Sequence, residues 1–158
     1  TVTNADLLGM SNELGQLNWQ AAAEEDRQGV SRLVADLNKL YNTETALHEL
    51  DFSNDGFRWI DCNDSDQSTL SLIRQDEKGA QILCLFNFTP VPRDNYRIGI
   101  PEAKNYQEIL NTDSSHYCGS NCGNSGIIKF EKKAWMGFEQ STVLTLPPLG
   151  ALFLKVIE

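Results

Sequence analysis

The run Gln81-Ile82-Leu83-Cys84-Leu85-Phe86-Asn87-Phe88 is almost continuously apolar, with Lys78-Gly79 before it and Pro90 after it. Such a run between turn residues predicts a strand covered on both faces. On either side, short apolar or alternating segments recur at 57–62, 69–74, 96–100, 106–110, 127–130, 142–146 and 151–157. They are separated by turn chemistry: Asn54-Asp55-Gly56, Pro90 and Pro92, the Gly119–Gly126 loop, and Pro147-Pro148. About eight strands spaced in this way predict a mainly β fold, an antiparallel β-sandwich of Greek-key type.

Upstream of residue 51 the period changes. Between Asp26 and Tyr41, the residues Val30, Leu33, Val34, Leu37, Leu40 and Tyr41 fall on one helical face, and Arg27, Arg32, Asp36 and Lys39 take the others. This is an amphipathic helix whose apolar stripe must be covered by something. One or two further helical turns are expected over Thr43–Leu50, with Thr43 as N-cap. The helical part gives way to β structure near Leu50–Asn54, so the chain divides into residues 1–50 and 51–158.

The 158 residues suit one domain of ordinary size. A formal charge of −9 argues against nucleic acid, which needs clustered Lys and Arg, and against anionic membrane surfaces. No apolar run approaches the roughly 18–20 residues of a membrane span. Thr1-Val2-Thr3-Asn4-Ala5-Asp6 has no basic n-region, so no signal peptide is expected and the compartment reads as cytoplasmic. Four scattered cysteines are too few for a disulfide framework. Cys62 and Cys84 lie in strand-like segments and are expected to be buried thiols. Cys118 and Cys122 lack the further ligands that would complete a metal site.

Three segments carry a family resemblance: Asn87-Phe88-Thr89-Pro90-Val91-Pro92-Arg93, Leu110-Asn111-Thr112-Asp113 and Leu144-Thr145-Leu146-Pro147-Pro148-Leu149. With Ala46-Leu47-His48-Glu49-Leu50-Asp51-Phe52, Gly56-Phe57-Arg58-Trp59 and Gly119-Ser120-Asn121, they resemble the C-terminal region of bacterial 1,4-α-glucan (glycogen) branching enzymes, members of the α-amylase superfamily. The likeness extends over nearly everything from Val30 to Val156. It implies that residues 1–50 are the end of a catalytic β/α barrel, with the helix as the last barrel helix, and that 51–158 is the C-terminal β-sandwich. It also implies two partners: the catalytic barrel, and an α-glucan such as glycogen or amylose. No cofactor is expected.

Glycosyl transfer with retention needs two carboxyl groups about 5–5.5 Å apart across the scissile bond. The resemblance places these carboxylates on earlier barrel strands, so no catalytic residue is expected in this chain. Ser11-Asn12-Glu13-Leu14-Gly15-Gln16 resembles the family's Gly-Asn-Glu-Phe-Gly-Gln segment after the eighth barrel strand, with departures at Ser11 and Leu14. Leu17-Asn18-Trp19-Gln20 then follows at once, where the family carries a longer loop, and Glu13 reads as a polar loop residue. Asp61, Asp64 and Asp66 read as solvated turn formers, without the spacing and closing Glu of an EF-hand. His48 is expected where helix meets sandwich, and His116 in a loop hydrogen bond; with no Gly-x-Ser-x-Gly elbow they do not suggest a hydrolase.

Aromatic rings are the remaining functional lead. Sugar rings present apolar C–H faces that flat side chains cover while nearby polar groups bond the hydroxyls. Trp59, among Arg58 and Asp61, is the first candidate for glucan contact; Trp135 and Phe138, in the polar 132–138 connection, are the next. An autonomous carbohydrate-binding module is the alternative to an enzyme's tail, but such a module has no reason to carry an uncovered amphipathic helix. An immunoglobulin-like adhesion domain lacks its disulfide and secretion signal here.

Overall fold

A computed structural model describes residues 23–157 of the chain. Helix α1 (Glu25–Thr43) is followed by a 3-10 turn at Thr45–Leu47, another at Asn54–Gly56, and nine strands. These are β1 (Phe57–Asp61), β2 (Thr69–Gln75), β3 (Gln81–Asn87), β4 (Arg93–Ile100), β5 (Asn105–Asn111), β6 (Ile127–Ile128), β7 (Phe130–Glu131), β8 (Gln140–Leu146) and β9 (Gly150–Ile157). A six-stranded sheet of order β1-β2-β3-β9-β5-β6 faces a three-stranded sheet of order β4-β8-β7. The strand pairs are antiparallel, and the chain crosses between sheets after β3, β4, β6 and β8. The sandwich expected from the sequence is therefore present. The segment expected as one strand at 127–130 is two, β6 in the large sheet and β7 in the small one. Lys129 is the crossing point, and its carbonyl accepts from Thr142 Oγ1 at 2.8 Å.

β3 is covered on both faces, as its composition predicts. Leu83 and Leu85 join the central core with Ile73, Leu152 and Leu154 from β2 and β9, opposite Ile98, Ile100, Leu144 and Leu146 of the small sheet. Ile82 and Cys84 point the other way, into a second cluster completed by Ala46, Leu47, Leu72, Phe86, Ile109 and Phe153. Burial pushes the Cys84 thiol up to about 12. Cys62, by contrast, is exposed. β1 ends at Asp61, still paired with Ser71 past a register shift, so Cys62 falls in the connection beyond the strand.

The three segments that carried the resemblance meet at one end of the sandwich. The side chain of Asn87, 2% exposed, donates to the carbonyls of Val91 (2.8 Å) and Pro147 (3.0 Å). Its Oδ1 accepts from the backbone N–H and the hydroxyl of Thr89, at 3.0 and 2.8 Å. Leu149 N–H donates to the Thr89 carbonyl, and Ala151 N–H to Thr112 Oγ1. Asn111 and Asp113 then hold the 118–122 loop through Cys122 and Ser120. Their pattern in sequence reflects a hydrogen-bonded junction between sheets.

Helix α1 lies over this framework with only one side engaged. Gly29 is its only buried residue, because a Cβ there would stand 2.5 Å from the Tyr117 carbonyl oxygen. Arg32 donates to the His116 carbonyl at 2.8 Å, and Tyr117 donates from its hydroxyl to Asp36 at 2.8 Å. Leu33, Leu37 and Leu40 are half-buried on that side. Val30 and Val34, 61% and 52% exposed, face away together with Tyr41. The stripe read as one face is thus two, and the sandwich covers one of them. Thr43 is the last residue of the helix and not an N-cap; its hydroxyl donates back to the Lys39 carbonyl. Beyond it, Asp76 accepts from Thr45 Oγ1 at 2.5 Å, a bond that holds its carboxyl below the usual range, and Lys155 pairs with Glu44. His48 sits half-buried against the Tyr41 ring.

Candidate functional site

The outer face of the large sheet carries one row of side chains in register, Trp59, Leu72, Cys84 and Phe153, across β1, β2, β3 and β9. Because side chains alternate along a strand, Phe57 shares this face with Trp59, and Arg58 and Ile60 point to the other. Ile60 accordingly joins the central core. Trp59 is at the edge of the sheet and 46% exposed, with its ring edge-to-face against Phe57 at 4.8 Å. The two rings border a cleft of about 660 Å³ whose other walls come from Leu50–Asn54, Arg58 and Arg74.

A polar set closes one side of this cleft. Arg74 Nη2 donates to Asp51 Oδ1, and the Tyr41 hydroxyl donates to Asp51 Oδ2 at 2.7 Å. The Arg74 guanidinium, and after it the Tyr41 hydroxyl, lower the Asp51 pKa; the same bond to Asp51 raises that of Tyr41. Beyond this set the surface continues as a more apolar groove of about 540 Å³ between α1 and the sheet, lined by Leu37, Leu40, Leu72, Phe86 and Phe153. Phe57, Tyr41, Asp51 and Arg74 therefore separate a mixed aromatic and polar cleft from an oily one. Phe52 stands fully in solvent at the mouth of the first.

Trp135 and Phe138 lie elsewhere. They face each other across a two-residue hairpin turn, with Trp135 N–H to Phe138 O at 3.0 Å and the reverse bond at 2.9 Å. Met136 and Gly137 occupy the left-handed region at φ 50° and 79°, as a type I′ turn requires. Trp135 is 43% exposed, while Phe138 packs on the core and lies under the Arg58 guanidinium at 4.9 Å. Neither residue lines the cleft beside Trp59. The three candidates thus form two sites, Trp59 on the outer face and the Trp135–Phe138 hairpin packed along β4. Tyr41, Asp51, Phe52 and Arg74 were not singled out from sequence, although an aromatic within the turn-rich Asp51-Phe52-Ser53-Asn54-Asp55-Gly56 was a visible signal.

Glu13 and the segments 11–16 and 17–20 lie outside the described residues. Asp64 does more than form a turn: its carboxylate accepts from the Thr69 and Tyr96 hydroxyls at 3.2 and 3.0 Å. Burial pushes the Tyr96 phenol up to about 12. His116 contributes its carbonyl to Arg32, and its imidazole lies 3.6 Å from Asp36. Among the described residues there is no group of three or more His, Cys, Asp or Glu placed to hold a metal ion, and no helix long and apolar enough to cross a membrane.

Comparison with known proteins places the chain. Over 144 residues it is 54% identical to the 1,4-alpha-glucan branching enzyme GlgB of Thiobacillus denitrificans, covering 90% of this chain and 20% of that protein. The enzymes of the same name from Dechloromonas aromatica and Aquifex aeolicus are 48% and 44% identical, over 93% and 94% of this chain and 24% and 25% of their own lengths. The chain therefore spans a fifth to a quarter of these relatives. Among solved structures, alpha-amylase from H. orenii matches with a TM-score of 0.50 at 12% identity, over 94% of this chain and 24% of that one, a likeness of fold. The profile for the alpha amylase C-terminal all-beta domain matches residues 59–157, more than half of the sequence, and the chain belongs to that family.

Proposed function

We propose that this chain is the C-terminal, non-catalytic part of a 1,4-α-glucan branching enzyme of glycogen synthesis, working in the cytoplasm. Residues 1–50 would be the end of the catalytic barrel and 51–158 the β domain packed on it. The observation that carries this reading is the outward half of the α1 stripe. Val30 and Val34 remain exposed although the opposite side of the same helix is docked. Two such side chains, wet on a helix already packed on one side, call for a second body. Relatives four to five times as long supply one. An autonomous binding module leaves that stripe without a purpose.

The parent reaction cleaves an α-1,4 linkage and passes the chain to a 6-hydroxyl, which needs facing carboxyl groups. In this chain Asp51, Asp64, Asp76 and Asp113 are each engaged in turns or an ion pair. Incubated alone with amylose, the chain should leave iodine staining unchanged. The appearance of new α-1,6 signals by NMR, in a preparation free of host enzyme, would contradict the assignment. A second role, weak contact with α-glucan at Trp59, is favoured by the exposed ring beside an open cleft.

A further inference from the structure

We infer that the polar half of the Trp59 cleft is the Asp51–Arg74 pair, and that helix α1, through Tyr41, is a structural part of this saccharide site. The inference rests on the glucan reading of Trp59 and extends it to groups outside β1. A pyranose has an apolar face and a rim of hydroxyls, each able to donate and to accept. A site for it therefore needs a flat ring beside a fixed donor and a fixed acceptor. Trp59 and Phe57 provide the ring surface, set edge-to-face on one side of the cleft. Asp51 and Arg74 line the same cleft and supply an acceptor and a donor.

Three features distinguish this pair from a casual surface ion pair. First, Asp51 is held at two points, by Arg74 through one oxygen and by the Tyr41 hydroxyl through the other. That orientation comes before any ligand arrives, which lowers the cost of ordering the site on binding. Second, the Arg74 side chain is 21% exposed and spends Nη2 on Asp51, so the end of its guanidinium still reaches the cleft. A guanidinium carries five N–H donors and accepts nothing, so this pair leaves donor capacity over. Third, Phe52 stands fully exposed at the mouth, one residue from Asp51, where it can fold over a bound ring. The ligand class is a neutral oligosaccharide; the formal charge of −9 disfavours an anionic sugar despite Arg74.

Saturation-transfer NMR with maltoheptaose tests this, using the whole chain and the variants Trp59→Ala, Trp135→Ala, Arg74→Gln and Asp51→Asn. A partly exposed ion pair adds little stability, so the latter two should melt within a few degrees of the parent. Binding of the unaltered chain is expected on the order of millimolar. Both Trp59→Ala and Arg74→Gln should weaken it roughly tenfold, the first by removing the ring surface and the second by removing a hydrogen bond from a charged group. Should Arg74→Gln fail to fold, Asp51→Asn carries the same expectation. If Trp59→Ala abolishes binding and neither polar substitution changes it, this inference is wrong and the Trp59 reading stands. If the chain binds but only Trp135→Ala weakens it, the site is at the hairpin and both are wrong. No binding by the unaltered chain would overturn the glucan reading itself.

Discussion

Replacing Asn87 by alanine is expected to lower the unfolding free energy by about 2–4 kcal/mol. The side chain is buried and makes four hydrogen bonds, two as donor to the Val91 and Pro147 carbonyls and two as acceptor from Thr89. Alanine removes all four and leaves the Pro147 carbonyl, which meets Asn87 in a buried bond, without its donor. A buried polar group without a partner costs more than the bond itself contributed. The loss also frees the crossing from β3 to β4, since Thr89 in turn accepts from Leu149. Urea unfolding followed by circular dichroism measures this. A loss below about 1 kcal/mol, the worth of a single ordinary hydrogen bond, would mean that the junction between the sheets is held by other contacts.

Gly99→Val is expected to cost about 2–3 kcal/mol and to displace the hairpin that carries Trp135. In an open strand this substitution would stabilise, because valine favours extended backbone and glycine weakens it. Here the sign reverses. A Cβ on residue 99 would lie 2.4 Å from the Trp135 carbonyl oxygen and 2.6 Å from Phe138 Cδ2. The ring could swing, but the carbonyl belongs to a turn closed by two backbone hydrogen bonds. The hairpin must therefore lift off β4, uncovering the core side of Phe138 and the Arg58 contact above it. A lower melting temperature together with a red-shifted tryptophan emission is the expected pattern. An unchanged or raised melting temperature would show that the hairpin is not seated on Gly99.

Which parts of this fold could be read in advance follows from what each signal encodes. Alternation and apolar runs report burial, so the strands were legible, β3 most clearly because both of its faces are covered. The split of 127–130 into β6 and β7 was not, because changing sheets leaves no mark on a four-residue pattern. Helical periodicity identified the α1 stripe but could not say that the sandwich covers only one side of it. That distinction depends on Gly29, whose missing side chain lets the Tyr117 backbone approach one edge. Cys62 was misplaced because β1 stops at Asp61, one residue short of it. The resemblance segments were recognisable as a pattern long before their work as a hydrogen-bonded junction could be seen. At the candidate site, the polar neighbours of Trp59 pointed to exposure. Tyr41, Asp51 and Arg74 come from three separate places in the chain, and only folding brings them together.

The two-sided helix is tested most directly by asking what binds its outward face. A GlgB relative shortened by its C-terminal fifth, and verified as folded by circular dichroism, would be mixed with this chain and followed by analytical ultracentrifugation. The chain should form a one-to-one complex with it. The double substitution Val30→Asp and Val34→Asp should abolish that complex while leaving the chain's own melting temperature within a few degrees, because both side chains are exposed in the isolated chain. A complex that survives the double substitution unchanged, or a folded partner that never binds the unaltered chain, would contradict the assignment of this face to the catalytic barrel.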